Sequence, residues 1–246
     1  MSSLIIQLFI LVALIPVWFM LRKGRAGTES KPALSLMIVF GVLAILITFV
    51  LSIPFDILLP ETGILIDSDL ASYAKPDNLL LGVIVFAAIE ELAKFLPVAL
   101  YIYKKSYFNH RSDGVLYFAI VGLGFGVIEN LLYLSTDGAA TGLIRIVFGW
   151  FFHGALTGIV GYTLASKKVA GGSWLLVISG FIATVGLHSA YNYGLFASTW
   201  NPLWIFLAIL VSFYVNASLF VLFYIASRQD KKSLAVDNGN IGADFK

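Results

Sequence analysis

Glu90, Glu91 and Lys94 stand together in the stretch Ala87-Ala88-Ile89-Glu90-Glu91-Leu92-Ala93-Lys94-Phe95-Leu96-Pro97, which is otherwise apolar. On a helix Glu90 and Lys94 are i,i+4 and Glu91 and Lys94 are i,i+3, so either carboxylate can meet the ammonium on one face. A charge near the centre of a bilayer costs about 2.5–3.5 kcal/mol on insertion scales, and an ionisable group kept there is a functional-site hypothesis by default. The alternative is a self-neutralising ion cluster that only fixes helix packing. Three more apolar stretches carry polar groups: Phe125 to Asn130 with Glu129, Arg145 to Thr157 with His153, and His188 to Asn192. Phe125 and Glu129, His153 and Thr157, and His188 and Asn192 are each i,i+4, so each pair shares a helical face. Of the three histidines, only His110 falls outside an apolar span.

This set limits the chemistry. With no cysteine, disulfides, thiolate catalysis and cysteine-bound metal are excluded. No Gly-x-Ser-x-Gly elbow pairs a serine with the histidines. Carboxylate plus imidazole points to activation of water, a glutamate serving first as general base and then as general acid. Two histidines and a glutamate also form a His2Glu set that holds zinc, or another divalent metal, with a position open to water. Such a metal would rest on Glu91, Glu129, His153 and His188. The H-E-x-x-H helix motif is absent, so its ligands would come from different helices.

The elements that must position these residues are membrane helices. The chain has 246 residues, of which 59% are hydrophobic and 12% charged, against about 45–50% and 25% in soluble domains. Its apolar runs of about 20 residues suit helices across a core of about 30 Å and lack the alternation of a barrel. Seven segments emerge: 4–21, 33–55, 78–103, 114–134, 142–165, 174–196 and 203–226, with a turn at Ser135-Thr136-Asp137-Gly138. The first lacks a basic leader and a small-residue cleavage site, so it reads as a retained helix. Gly122-x-x-x-Gly126 and Gly154-x-x-x-Gly158 read as devices for close helix packing. The expected fold is an all-α polytopic bundle, residues 1–227, with its core in helices three to six (about 78–196). Residues 228–246 read as a polar cytoplasmic tail, disordered by composition.

With the amino terminus outside and seven crossings, thirteen of the sixteen lysines and arginines fall on the cytoplasmic side. The positive-inside rule therefore predicts N-out, C-in. The net charge of +2 comes from these loops and speaks of membrane orientation, not nucleic acid. At about 1.5 Å per residue, Glu129 lies roughly 8 Å and His188 about 12 Å below the outer ends of their segments, which places the polar set in the outer half of the bilayer.

The motifs resemble those of the PrsW family of intramembrane proteases, itself similar to the CAAX-prenyl protease and bacteriocin-processing superfamily. Glu90-Glu91-x-x-Lys94 looks like the family's E-E-x-x-K, Phe125-x-x-x-Glu129-Asn130 is similar to F-x-x-x-E, and Arg145 to Thr157 with its central His153 fits the pattern between. The last motif is often H-x-x-x-D; here it is His188-x-x-x-Asn192, closer to the CAAX-protease form. The resemblance implies that Glu90 or Glu91 activates water, aided by Glu129 and His153, while His188 and Asn192 polarise the scissile carbonyl. Lys94, Phe125, Asn130, Arg145 and Thr157 would support them. It also implies a multi-pass protein of a prokaryotic cell membrane, with a membrane-anchored protein substrate such as an anti-sigma factor. Two other readings use the same residues: a transporter relaying protons or ions, and a non-catalytic membrane scaffold.

Overall fold

The computed structural model of the chain describes residues 2–23, 31–58, 76–149 and 151–243. Among the described residues there are seven α-helices and no strand: α1 (Ser2–Lys23), α2 (Lys31–Leu58), α3 (Pro76–Ile102), α4 (Arg111–Gly149), α5 (Phe152–Ala170), α6 (Trp174–Ala197) and α7 (Ile205–Ala243). Four stretches are long and apolar enough to cross a membrane: Pro32–Phe55, Arg111–Ser135, Trp174–Ala197 and Pro202–Leu234. α3, with Glu90, Glu91 and Lys94 in its second half, is not one of them.

The contacts define an up-and-down arrangement. α2 runs parallel to α4, since Gly41 lies against Val121 while Ala44 and Ile45 cluster with Phe125. α4 and α5 are antiparallel: Gly114 lies against Gly161, and Gly122 against His153. α3 and α6 are antiparallel as well, with Phe95 meeting Phe181 and Ser189 meeting Val83. α7 returns along α5 and α6, from Ala208 beside Gly194 to Gln229 beside Tyr162. The interior is built on α4 and α5, where Leu116, Phe118, Val121, Phe152 and Leu156 are buried, and it reaches Leu219 and Phe223 of α7. Leu46 and Val50 of α2, Leu175 and Ile182 of α6, and Phe206 and Leu210 of α7 are exposed. Apolar surface of this extent suits hydrocarbon, because helices satisfy their own backbone polar groups.

Three boundaries differ from those expected. No break is recorded at Ser135 to Gly138, and Arg145, expected on the fifth segment, lies on α4. Ser, Thr, Asp and Gly without proline disfavour a helix but do not end it. The side chain of Arg145 lies outside the described residues. α4 cannot be straight: 39 residues of ideal helix reach about 58 Å, yet His153, four residues past its end, lies against Gly122 and Gly126. The chain therefore doubles back between Gly126 and Gly149. Phe151 lies in a turn directly before α5.

The third difference concerns the stretch from Arg228, which continues α7 as helix to Ala243. Asp230 is buried there and accepts hydrogen bonds from the backbone N–H groups of Arg111 (3.0 Å) and Ser112 (2.9 Å) and from Ser112 Oγ (2.7 Å). A carboxylate from α7 thus caps the amino terminus of α4, where unsatisfied N–H groups need an acceptor. The acidic residues Glu61, Asp67 and Asp69, together with Lys75 and Lys246, lie outside the described residues.

Candidate active site

Four helices bring the predicted charges together. Glu90, Glu91 and Lys94 come from one face of α3, and all three are buried. Lys94 Nζ donates to Glu91 Oε1 at 2.6 Å and lies 3.6 Å from Glu90 Oε2. It also lies 3.0 Å from His153 Nδ1 on α5 and 4.3 Å above the ring of Phe125 on α4. Glu91 Oε1 meets His188 Nδ1 of α6 at 2.8 Å, and His153 Nε2 meets Glu129 Oε2 of α4 at 2.7 Å. The two imidazole centroids are 5.2 Å apart.

Close helix approach makes this possible. A Cβ on Gly122 would collide with the carbonyl of His153, and one on Gly126 would lie 3.2 Å from His153 Cδ2. Glycine at these two positions lets the α5 backbone come near enough to reach Glu129 on α4. Thr157 supports the same turn, its hydroxyl donating to the His153 carbonyl at 2.7 Å instead of pointing at the charges. Phe152 packs on both imidazoles, 5.7 Å from each, and stacks on Tyr191 at 4.3 Å. Nothing in its spacing marked Phe152 beyond its place beside His153. Asn216, the one amide in the seventh segment, accepts from the N–H of Phe151 at 3.3 Å, at the break before α5.

An ionised carboxylate only accepts hydrogen bonds, and a neutral imidazole has one N–H and one lone pair. His188 therefore donates through Nδ1 to Glu91, and His153 through Nε2 to Glu129. The lone pairs left over are His188 Nε2 and His153 Nδ1. Glu90 Oε2 lies 3.6 Å from His188 Nε2, buried and without a hydrogen-bond partner. One ligand atom from each of Glu90, Glu91, His153 and His188 fits within a group no wider than 4.8 Å. This set has Glu90 where the sequence reading placed Glu129, which instead holds the far side of His153. An orphaned buried oxygen beside the two unprotonated imidazole nitrogens, of which His153 Nδ1 also faces Lys94 Nζ, fits a divalent metal, and a carboxylate behind each ligating histidine is the usual outer support of such sites.

The remaining predicted residues surround this cluster. Asn192 is half-buried one turn beyond His188 on α6. Asn130 is buried next to Glu129. Along the helices, the site is about 18 Å from Tyr103, 21 Å from Trp174 and 22 Å from Lys168, all at the basic end of the bundle.

The model of the PrsW family, described as intramembrane metalloproteases, matches residues 29–225. The chain belongs to that family. It is 30% identical over 112 residues to Protease PrsW of Geobacillus kaustophilus, covering 45% of this chain and 50% of the relative. Protease PrsW of Halalkalibacterium halodurans is 34% identical over 123 residues, 49% of this chain and 55% of the relative. That of Bacillus subtilis is 26% identical over 154 residues, 61% and 65%. The chain spans about half the length of the first two relatives. No solved structure matches it. All four polar motifs of this PrsW-family chain lie inside the matched residues.

Proposed function

We propose that this chain is an intramembrane endopeptidase that hydrolyses a peptide bond in a membrane-anchored protein by activating water at the Glu90–Glu91–His153–His188 cluster. One observation carries the reading: the orphaned Glu90 Oε2 lies beside His188 Nε2 at 3.6 Å, while Glu91 and Glu129 hold the opposite nitrogens of the two histidines. Glu90, His153 and His188 would hold a zinc or similar ion, with Glu91 and Glu129 fixing the imidazoles. When bound, such an ion supplies Lewis acidity and a water that ionises near neutral pH. Within the chain's own chemistry, Glu91 and Glu129 keep the ring protons on the outward nitrogens, which leaves a lone pair on His188 Nε2 and one on His153 Nδ1, the latter facing Lys94 Nζ at 3.0 Å. Asn192, one turn along from His188, offers an amide that can donate to the carbonyl oxygen of a strained peptide as negative charge develops there.

The proposed topology is seven crossings, N-out and C-in, in a prokaryotic cell membrane. The site then lies toward the outer face, consistent with its distance from the basic end. A single-span protein of the anti-sigma-factor kind is the proposed substrate.

The test is cleavage of a library of single-span peptides in liposomes. Wild type should cut and Glu91→Gln should not, while both insert and keep their helical circular dichroism. A strong chelator should abolish cutting and zinc should restore it. Cleavage that survives Glu91→Gln would sink the proposal, and cleavage indifferent to the chelator would remove the metal from it.

A further inference from the structure

Lys94 is the only buried lysine or arginine among the described residues, with no exposed surface. Its ammonium does more than neutralise its neighbours on α3. Nζ lies 3.0 Å from His153 Nδ1, the lone pair left free when Nε2 is turned to Glu129, and 3.6 Å from the orphaned Glu90 Oε2. These are two of the acceptors that a metal would need, at about 2.0–2.2 Å. An imidazole nitrogen has one lone pair, and it cannot serve an N–H donor and a metal together. Two cations on shared ligands also repel one another strongly in a buried site, where little solvent screens them.

We infer that Lys94 is the built-in counter-ion of the metal-free site and competes with the metal for His153 Nδ1 and Glu90. This rests on the metal-site reading above. In the empty site the ammonium offsets three neighbouring carboxylates that would otherwise repel one another in apolar surroundings. With a divalent ion held there, His153 Nδ1 would no longer be able to accept from Nζ, and the lysine would give up that contact. With Glu90, His153 and His188 as the ligands, the lysine would retain Glu91 and the face of Phe125. The ammonium offsets one of the three negative charges in the empty site, a divalent ion would offset the other two, and the metal affinity is held below what the ligands alone would give. A bystander lysine would stabilise the acids without opposing the ion.

The experiment adds zinc stepwise to purified protein in detergent, with a chromophoric chelator as competitor, and follows cobalt(II) absorption in parallel. It compares wild type, Lys94→Met, Lys94→Gln and, as a ligand-deficient control, His188→Ala. Lys94→Met should bind zinc about tenfold or more tightly than wild type, the change expected when a competing cation is removed. Its metal-free form should melt at a lower temperature than wild type, with zinc closing most of the gap. Should the methionine variant fail to fold, Lys94→Gln, which keeps a donor but no charge, answers the same question. Equal or weaker zinc binding in the folded neutral variant, with wild type still binding, overturns the competition and leaves the metal site standing. No binding by wild type or by either variant overturns both.

Discussion

Two buried carboxylates pack against α4, Asp230 and Glu90, and their oxygens are satisfied to opposite degrees, although Arg111 Nη1 beside Asp230 is itself without a hydrogen-bond partner. At the first turn, Asp230 of α7 has both oxygens occupied, by two backbone N–H groups and a hydroxyl, with the Arg111 guanidinium 3.6 Å away. About 21 Å along α4, at the level of Phe125, Glu90 of α3 has an oxygen with no hydrogen bond at all, although an ammonium and two imidazoles stand around it. Leaving a buried acceptor unsatisfied costs about 1–3 kcal/mol. A bundle that fully satisfies one buried acid has the means to satisfy another. Under the proposed function, the contrast separates a carboxylate that completes the fold from one kept open for a ligand.

Substitutions should divide the two clusters cleanly. The largest effect is expected from His188→Ala, which removes a free lone pair and the partner of Glu91; cleavage in liposomes should fall to background while the helical circular dichroism persists. Glu129→Gln keeps the shape behind His153 but ends the carboxylate's hold on Nε2. Outer partners of this kind are worth about 10–100-fold in metal affinity or activity, so zinc affinity should drop within that range at nearly unchanged melting temperature. Asp230→Ala should do the reverse. It strips the cap from α4 and should cost about 1–3 kcal/mol of stability, read as a lower melting temperature, with zinc affinity intact below the transition. If Asp230→Ala also lost zinc binding, the two clusters would be one cooperative unit and the distinction between them would collapse.

Much of the polar site was legible because its residues are conspicuous. Glu90, Glu91 and Lys94 interrupt an apolar run at helical spacing, and their ion pairs are local, so pattern alone paired them. His153 and His188 stood out for the same reason. The division of roles among the glutamates was not legible. Whether Glu90 or Glu129 joins the ligand set depends on how α4 and α5 rotate around Gly122 and Gly126, which spacing along one helix does not encode. The break before α5 was hidden because Gly149-Trp150-Phe151 contains no proline. Asp230 read as part of a polar tail since its partners lie 118 residues away in the chain.

The smallest expected effect falls between the two clusters, at Asn216. Its carbonyl oxygen accepts from the N–H of Phe151, and its amide nitrogen donates to Ser212 Oγ at 3.1 Å. The Phe151 N–H opens α5, two residues ahead of His153, so the bond fixes where the helix restarts. Hydrogen bonds between membrane helices average about 0.6 kcal/mol and reach about 1.7. Asn216→Leu should therefore lower stability by an amount of that order. If the contact also aims His153, zinc affinity should fall severalfold with it, and Asn216→Asp, which retains the acceptor, should recover most of that loss. A stability loss with unchanged zinc affinity would class Asn216 with Asp230, as a part of the fold alone. Because the free-energy change is small, the comparison has to be made on zinc affinity well below the melting transition, where fold and site can be read apart.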